Sequence, residues 1–284
     1  MLSMGTLYVV GTPIGNLEDV TLRALRVLRE ADLIACEDTR RTRVMLGRHG
    51  IATPLVSYHE HNERRRAPEL VRRLLSGETV ALVSDAGMPT VSDPGVQLVT
   101  QSIEAGVPVV PIPGPSAVTA ALSVSGLPSD RFLFLGFLPR SRAARRRALE
   151  EVAKLPATLV LFEGPHRIAA TLEDVLAVLG PRRVVLMREA TKVHGEVRRG
   201  RADELASVVA GERLRGEITL VVEGNLEAGT RRGTAGDGAP DPDAHLRRLL
   251  GAGVSSRDAA RSLSAAYGIP RREAYRMATE GKRR

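Results

Sequence analysis

The chain has 284 residues, 43% of them hydrophobic, enough for two ordinary domains and an appendage. Aromatics are 3% with no Trp, which leaves little material for an extensive base-stacking surface, and a single cysteine, Cys36, excludes an intramolecular disulfide framework and a Cys-rich zinc site. The net charge is +8, and 38 of the 41 cationic side chains are arginines, a skew that GC-rich codon usage explains as readily as phosphate binding does.

Leu7–Val10 reads as a buried strand ended by Gly11-Thr12-Pro13, and Val20–Arg29 carries one apolar helical stripe. Further strands are expected at Leu33–Cys36, Thr79–Val83 and Val107–Val110, with helices at Arg64–Leu75 and Pro94–Ala105. This alternation predicts an α/β fold with a parallel sheet covered on both faces. Ligands of such sheets bind in the crevice at the carboxyl ends of the strands.

A second pattern follows Gly126-Leu127-Pro128. Strands are expected at Phe132–Phe137, Thr158–Phe162, Arg183–Met187, Val193–Arg198 and Ile218–Val222, with helices at Arg142–Val152, Arg167–Leu179 and Ala202–Ala210. Val193–Arg198 follows its neighbour too closely for a parallel crossover, so the sheet is mixed. The expected organisation is an α/β domain over 1–126, a second over 127–228, a Gly/Pro/Asp-rich linker over 229–243 and a basic helical unit over 244–284. Helices at His245–Leu250, Arg257–Tyr267 (ended by Gly268) and beyond Pro270 resemble a helix-turn-helix, with Ala259, Leu263 and Tyr275 as its packing residues.

Charge follows this division. Residues 245–284 hold ten Lys/Arg against three Asp/Glu, leaving the first 244 residues nearly neutral. A basic terminal piece on a balanced body points to a polyanionic partner. No apolar run approaches the ~18–20 residues of a membrane span, and Met1–Gly5 lacks signal-peptide character, so a soluble cytoplasmic protein without membrane partners is expected.

Three polar segments follow predicted strands: Gly11–Leu17, Cys36–Arg41 and Ser84–Gly95. Glycines admit close backbone approach and prolines stiffen the loops, but neither a dinucleotide fingerprint nor a phosphate loop is present. Singly, each has a plainer reading, as a Gly-Pro turn or, for Asp93, as the cap of the next helix. Three at the same end of consecutive strands point to one shared ligand site. His59-Glu60-His61 has metal-ligand spacing but no further ligand cluster, so no metal is expected. Cys36 reads as packing, and Gly114-Pro115-Ser116 is not a nucleophile elbow. Arg140–Arg147 is either a solvated helix face or a phosphate-contacting wall.

Gly-Thr-Pro-Ile-Gly-Asn-Leu (11–17), Glu-Asp-Thr-Arg (37–40), Ser-Asp-Ala-Gly-Met-Pro (84–89), Ser-Asp-Pro-Gly (92–95) and Pro-Gly-Pro-Ser (113–116) occur in order with Gly-Phe-Leu-Pro (136–139), Phe-Glu-Gly-Pro-His-Arg (162–167) and Arg-Glu-Ala-Thr-Lys (188–192). Together they resemble the ribosomal RNA small subunit methyltransferase I family of the tetrapyrrole-methylase superfamily, over residues 5–225. Gly164 and Ala190 depart from the Ser and Leu common there. The resemblance implies two α/β domains with S-adenosylmethionine between them, a small C-terminal helical domain and, usually, a homodimer. It implies methylation of the ribose 2'-hydroxyl of cytidine 1402 in 16S rRNA, free or within the 30S subunit. By superfamily position Pro13, Asp85, Ala86, Gly87, Pro89, Ser116, Phe162 and Thr219 would line the donor site. Arg40, Arg142, Arg145, Arg146, Arg271, Arg272 and Arg276 are the candidate RNA contacts.

A ribose hydroxyl is a weak acid, so a positioned base helps. Glu37, Asp38, Glu163, Glu189 and Lys192 are the candidates, with Glu37 and Lys192 favoured. Lys192 requires burial beside Arg188 for that role. Two rival readings differ in class: a tetrapyrrole C-methyltransferase, which needs no basic tail, and a ligand-sensing DNA-binding regulator.

Overall fold

In the computed structural model, residues 4–192, 195–225, 242–251, 254–267 and 269–281 are described. The first sheet is made of β1 (Leu7–Val10), β2 (Leu33–Cys36), β3 (Leu55–Ser57), β4 (Val80–Val83) and β5 (Val109–Ile112). All are parallel, in the order β3-β2-β4-β1-β5. Their short apolar runs suit strands buried on both faces. One face is covered by α1 (Leu22–Glu30) and α2 (Thr39–Arg48), through Ala24, Leu28, Met45 and Leu46. The other is covered by α3 (Glu63–Leu75) and α4 (Val96–Glu104), through Leu70, Leu74 and Leu98.

The second sheet comprises β6 (Phe132–Phe137), β7 (Thr158–Glu163), β8 (Arg183–Arg188), β9 (Glu196–Arg201) and β10 (Ile218–Val222), in the order β6-β7-β10-β8-β9. It is mixed: β6 and β7 are parallel, and the remaining pairs antiparallel. The last hairpin strand lies later than the expected Val193–Arg198, and Val193 is outside the described residues. α6 (Arg142–Val152), α7 (Ile168–Leu179) and α8 (Ala202–Ala210) cover one face. The opposite face is covered by α5 (Ala117–Ser125), whose Val118, Ala121 and Leu122 pack on Val160, Val185 and Val221. Thus α5, on the N-terminal side of residue 126, belongs by packing to the second sheet. Both sheets lie in one compact unit, residues 1–226.

A separate unit, residues 227–284, contains α9 (Pro242–Gly251), α10 (Ser256–Tyr267) and α11 (Arg271–Gly281). Leu246, Ala259, Ala260, Leu263, Ala274 and Ala278 form its core. Tyr275, expected in that core, is 50% exposed. Most of the linker and Gly268 lie outside the described residues. No described helix is long and apolar enough to cross a membrane.

The basic run at α6 has a structural task. Arg142, Arg145 and Arg146 all donate to the fully buried carboxylate of Asp174 on α7, at 3.1, 2.8 and 2.6 Å. Burial works against this carboxylate, and the three guanidiniums outweigh it, holding the group below the usual range. Arg145 is itself buried, so its expected RNA contact gives way to fastening α6 to α7. Removing Asp174 strands a buried guanidinium. Asp174→Ala is expected to lower the unfolding free energy in urea by about 3–5 kcal/mol. Arg142→Ala, which removes a 63% exposed partner, should cost under about 1 kcal/mol in the same experiment.

Candidate functional site

The loops after β1, β2 and β4 lie side by side because those strands are neighbours in the sheet. They are also bonded together. Thr12 and Gly87 exchange backbone hydrogen bonds at 2.9 and 3.0 Å, and the Thr12 hydroxyl donates to the Ser84 carbonyl. Asp85 accepts from the Asp38 amide at 3.0 Å through Oδ1, and pairs with Arg41 at 3.1 Å through Oδ2. The β1 and β5 loops touch backbone to backbone: a Cβ on Gly114 would lie 2.8 Å from Gly11.

The same assembly reaches the second sheet. The Asn16 amide donates to the Thr191 hydroxyl at 3.0 Å, and a Cβ on Gly15 would lie 2.8 Å from Lys192 Cγ. Glu189 receives the Glu217 amide and pairs with Lys192 Nζ at 2.7 Å. Burial opposes the ionised Glu189 carboxyl, but the Lys192 and Glu217 hydrogen bonds prevail and hold it low. The only non-glycine residues with positive φ among those described are Thr90, Ser92 and Glu189, all in these loops. Backbone held in sparsely populated conformations concentrates at functional sites.

Between the sheets these loops border a cavity of about 320 Å³, within the usual range for small-ligand sites. Its apolar wall includes Phe162, Phe137, Met187 and Ile218. The Phe162 ring is packed against Phe134 and Phe137, with centroids 4.9 and 5.6 Å away. Residues 134 and 137 of a regular strand would face opposite ways. The irregularity in β6, where Gly136 takes φ 61°, turns both toward Phe162. Of the chain's eight Phe and Tyr residues, Phe137 and Phe162 thus line this cavity and Phe134 packs against Phe162.

Asp85, Ala86, Gly87, Ser116, Phe162, Thr219 and Glu37 line this cavity. Pro13 and Lys192 line an adjoining one of about 330 Å³, which shares Arg41, Asp85 and Glu217 with the first. Pro89 is buried and lines neither. Lys192 is 45% exposed and ion-paired to Glu189, and Arg188 is taken up by Glu196. The burial beside Arg188 that a base role for Lys192 requires is therefore not what the structure provides. Arg40 is exposed and pairs with Asp38, the cap of α2, whose carboxyl its hydrogen bonds lower to about 2. Glu163 is consumed by Arg167, Thr171 and the Gly164 amide. Of the carboxylate base candidates, Glu37 alone faces the cavity with a carboxyl pushed up, by burial and by the Asp85 charge. Arg271, Arg272 and Arg276 are exposed on α11, in the separate unit.

The structure adds Asp93, Glu217, Arg41 and Phe137 to the site. Asp93 does not cap α4, which starts at Val96 behind Gly95 without a side-chain cap. Its carboxyl is pushed up to about 6, chiefly by burial and then by Glu37, Asp85 and Glu217, against a lowering hydrogen bond from Ser84. His59 contacts His61 edge-on and Asn62 through Nε2, and no described cluster of three metal-ligating side chains is present. Burial raises the Cys36 thiol, consistent with packing.

The model of the tetrapyrrole (corrin/porphyrin) methylases matches residues 6–206. Proteins named ribosomal RNA small subunit methyltransferase I are similar along most of the chain. The one from Halalkalibacterium halodurans is 46% identical over 96% of this chain and 94% of its own. That from Bacillus subtilis is 39% identical over 96% and 93%. That from Thermotoga maritima is 49% identical over 221 residues, 78% of this chain and 99% of its own. Among solved structures, uroporphyrin-III C-methyltransferase from Thermus thermophilus complexed with S-adenyl homocysteine shares the fold, with TM-score 0.56 and 23% identity over 76% of this chain and 97% of that one. Diphthine synthase does so with TM-score 0.57 and 19% identity over 79% and 93%.

A carboxyl whose folded pKa is raised to about 6 opposes folding when ionised. The penalty is complete above pH 6 and vanishes as pH falls toward the unfolded value near 4. Asp93→Asn is therefore expected to raise the melting temperature at pH 8 and to change it little at pH 4, as calorimetry can measure.

Proposed function

The chain belongs to the tetrapyrrole methylase family, and within it to the ribosomal RNA small subunit methyltransferase I branch, and from that premise we propose that it methylates the ribose 2'-hydroxyl of cytidine 1402 in 16S rRNA. The observation that carries this reading is the cavity between the sheets: bordered by interlocked loops, floored by a braced aromatic ring and walled by carboxylates. Such a lining fits S-adenosylmethionine, which presents a planar base, a ribose and a sulfonium. Bound there, it supplies an electrophilic methyl carbon.

The protein's own residues do the rest. Phe162, with Gly87, Ser116 and Thr219, holds the donor; Asp85 orders the loops around it. Glu37 accepts the 2'-hydroxyl proton, its raised carboxyl making it a better base than an exposed one. Lys192 and Pro13 shape the adjoining cavity, where Arg41 reaches solvent beside the entering nucleotide. Lys192 acts there as a positioning cation rather than as the base.

The C-terminal unit grips RNA. On α11, Arg271, Arg272 and Arg276 surround Tyr275, an exposed ring among cations that suits an unpaired base and its phosphates. The Thermotoga maritima relative, spanned at 99% by 221 residues of this chain, is too short for counterparts of both units. That supports an affinity role for this unit and leaves the chemistry to the body. Action on the assembled 30S subunit by a homodimer in the cytoplasm completes the proposal.

Labelled donor incubated with small subunits should place one methyl group on the 2'-oxygen of that cytidine. Label on a tetrapyrrole carbon, with none on RNA, would favour the rival C-methyltransferase. Glu37→Gln should reduce turnover by about 10²-fold or more with donor affinity retained, and full activity would remove Glu37 from this role. Deleting residues 242–284 should weaken rRNA binding and flatten its salt dependence while donor binding persists; an unchanged salt slope would place the RNA grip elsewhere.

A further inference from the structure

Six carboxylates line the first cavity, from Glu37, Asp85, Asp93, Glu163, Glu189 and Glu217, against a single cationic lining residue, Arg41. Three of them are neutralised: Asp85 by Arg41, Glu163 by Arg167 and Glu189 by Lys192. Among the described residues, Glu37, Asp93 and Glu217 have no ion-pair partner. The uncompensated charge faces inward from three places: the end of β2, the loop ahead of α4 and the entry to β10. Asp93 is delivered there by a segment with φ 72° at Thr90, 64° at Ser92 and 136° at Gly95.

We propose that this unpaired acid wall, with Asp93 as its decisive member, makes the cavity charge-selective, holding the sulfonium donor in preference to the neutral thioether product. The inference rests on the methyl-transfer reading above and deepens it. In that reaction the oxygen–carbon bond forms as the sulfur–carbon bond breaks, sulfur loses its positive charge, and the hydroxyl proton passes to Glu37. Before transfer the wall attracts its ligand; afterwards the thioether is uncharged, and once Glu37 has released the accepted proton to solvent nothing offsets the repulsion among the wall's carboxylates. The charge that aids donor binding also stabilises the ground state, so the arrangement favours turnover through product release rather than through the chemical step.

The groups that face Asp93 are Glu37, Asp85 and Glu217, with Arg41 on Asp85; the Ser84 hydroxyl, which works against their effect, also bonds the Ala86 and Gly87 carbonyls. Burial and these neighbours push Asp93 up to about 6, so a bound cation draws its proton off near that pH while a neutral ligand does not.

Calorimetric titration of the full chain with S-adenosylmethionine and S-adenosylhomocysteine tests this without turnover. For the wild type, donor affinity should fall about tenfold from pH 8 to pH 5, with product affinity changing less than about twofold. Near pH 6, donor binding should release protons, seen as a dependence on buffer ionisation enthalpy, and product binding should not. Asp93→Asn should lower donor affinity about tenfold at pH 8 and abolish the proton release. Its unchanged affinity for the product would show that the variant is folded. Parallel weakening of both ligands, or no change in either, would overturn charge selection. Failure of the wild type to bind either ligand would overturn the donor-site reading itself, a separable result.

Discussion

The two-ended grip of Asp85 is the constraint on which the site depends. One oxygen takes the amide that opens the β2 loop, the other holds Arg41 on α2, and its own loop is bridged through Gly87 to Thr12 beyond β1. The parallel order β2-β4-β1 brings the three loops to one edge, but strand order alone leaves them as separate surface turns. Hydrogen bonds between loops, with glycines 11 and 114 allowing backbone contact, turn them into one wall. The Asn16–Thr191 bond then carries that wall to the second sheet, so the cavity has two sides of fixed spacing.

Most strands were legible because apolar runs of four to six residues between turn signals have few other fates. The missed elements lacked that signal. β3 is three residues long and lies at the sheet edge, and α2 begins Thr-Arg-Arg-Thr-Arg, which resembles a polar loop. α5 is built of small residues with little contrast between its faces; β9, which is mostly charged, was legible but three residues too early. At the site, the three post-strand loops could be identified, but not how their side chains divide their duties. The Asp174 that occupies Arg145 lies 29 residues away in sequence, and Asp93 stands where a cap is ordinarily found. Positive φ at Thr90 and Ser92, which redirects that loop, leaves no trace in non-glycine residues.

Charge is distributed to match the two tasks. The excess positive charge of the sequence belongs to the C-terminal unit, whereas the cavity in the nearly neutral body is locally acidic. On the proposed reading this separates a polyanionic substrate, held by the C-terminal unit, from a cationic donor held in the body. Within the body, Arg41 neutralises Asp85 and lines both cavities. The abundance of arginine has several uses here, since part of the α6 run serves only to fasten two helices.

On the proposed reading, the interlocked loops build the donor site in the cavity beneath Phe162. A crystal structure of the full chain with S-adenosylhomocysteine tests it most directly. The ligand should lie against Phe162, Gly87 and Thr219, with its sulfur on the side of Glu37 and Asp93. A ligand seated instead between Pro13 and Lys192 in the adjoining cavity would contradict it.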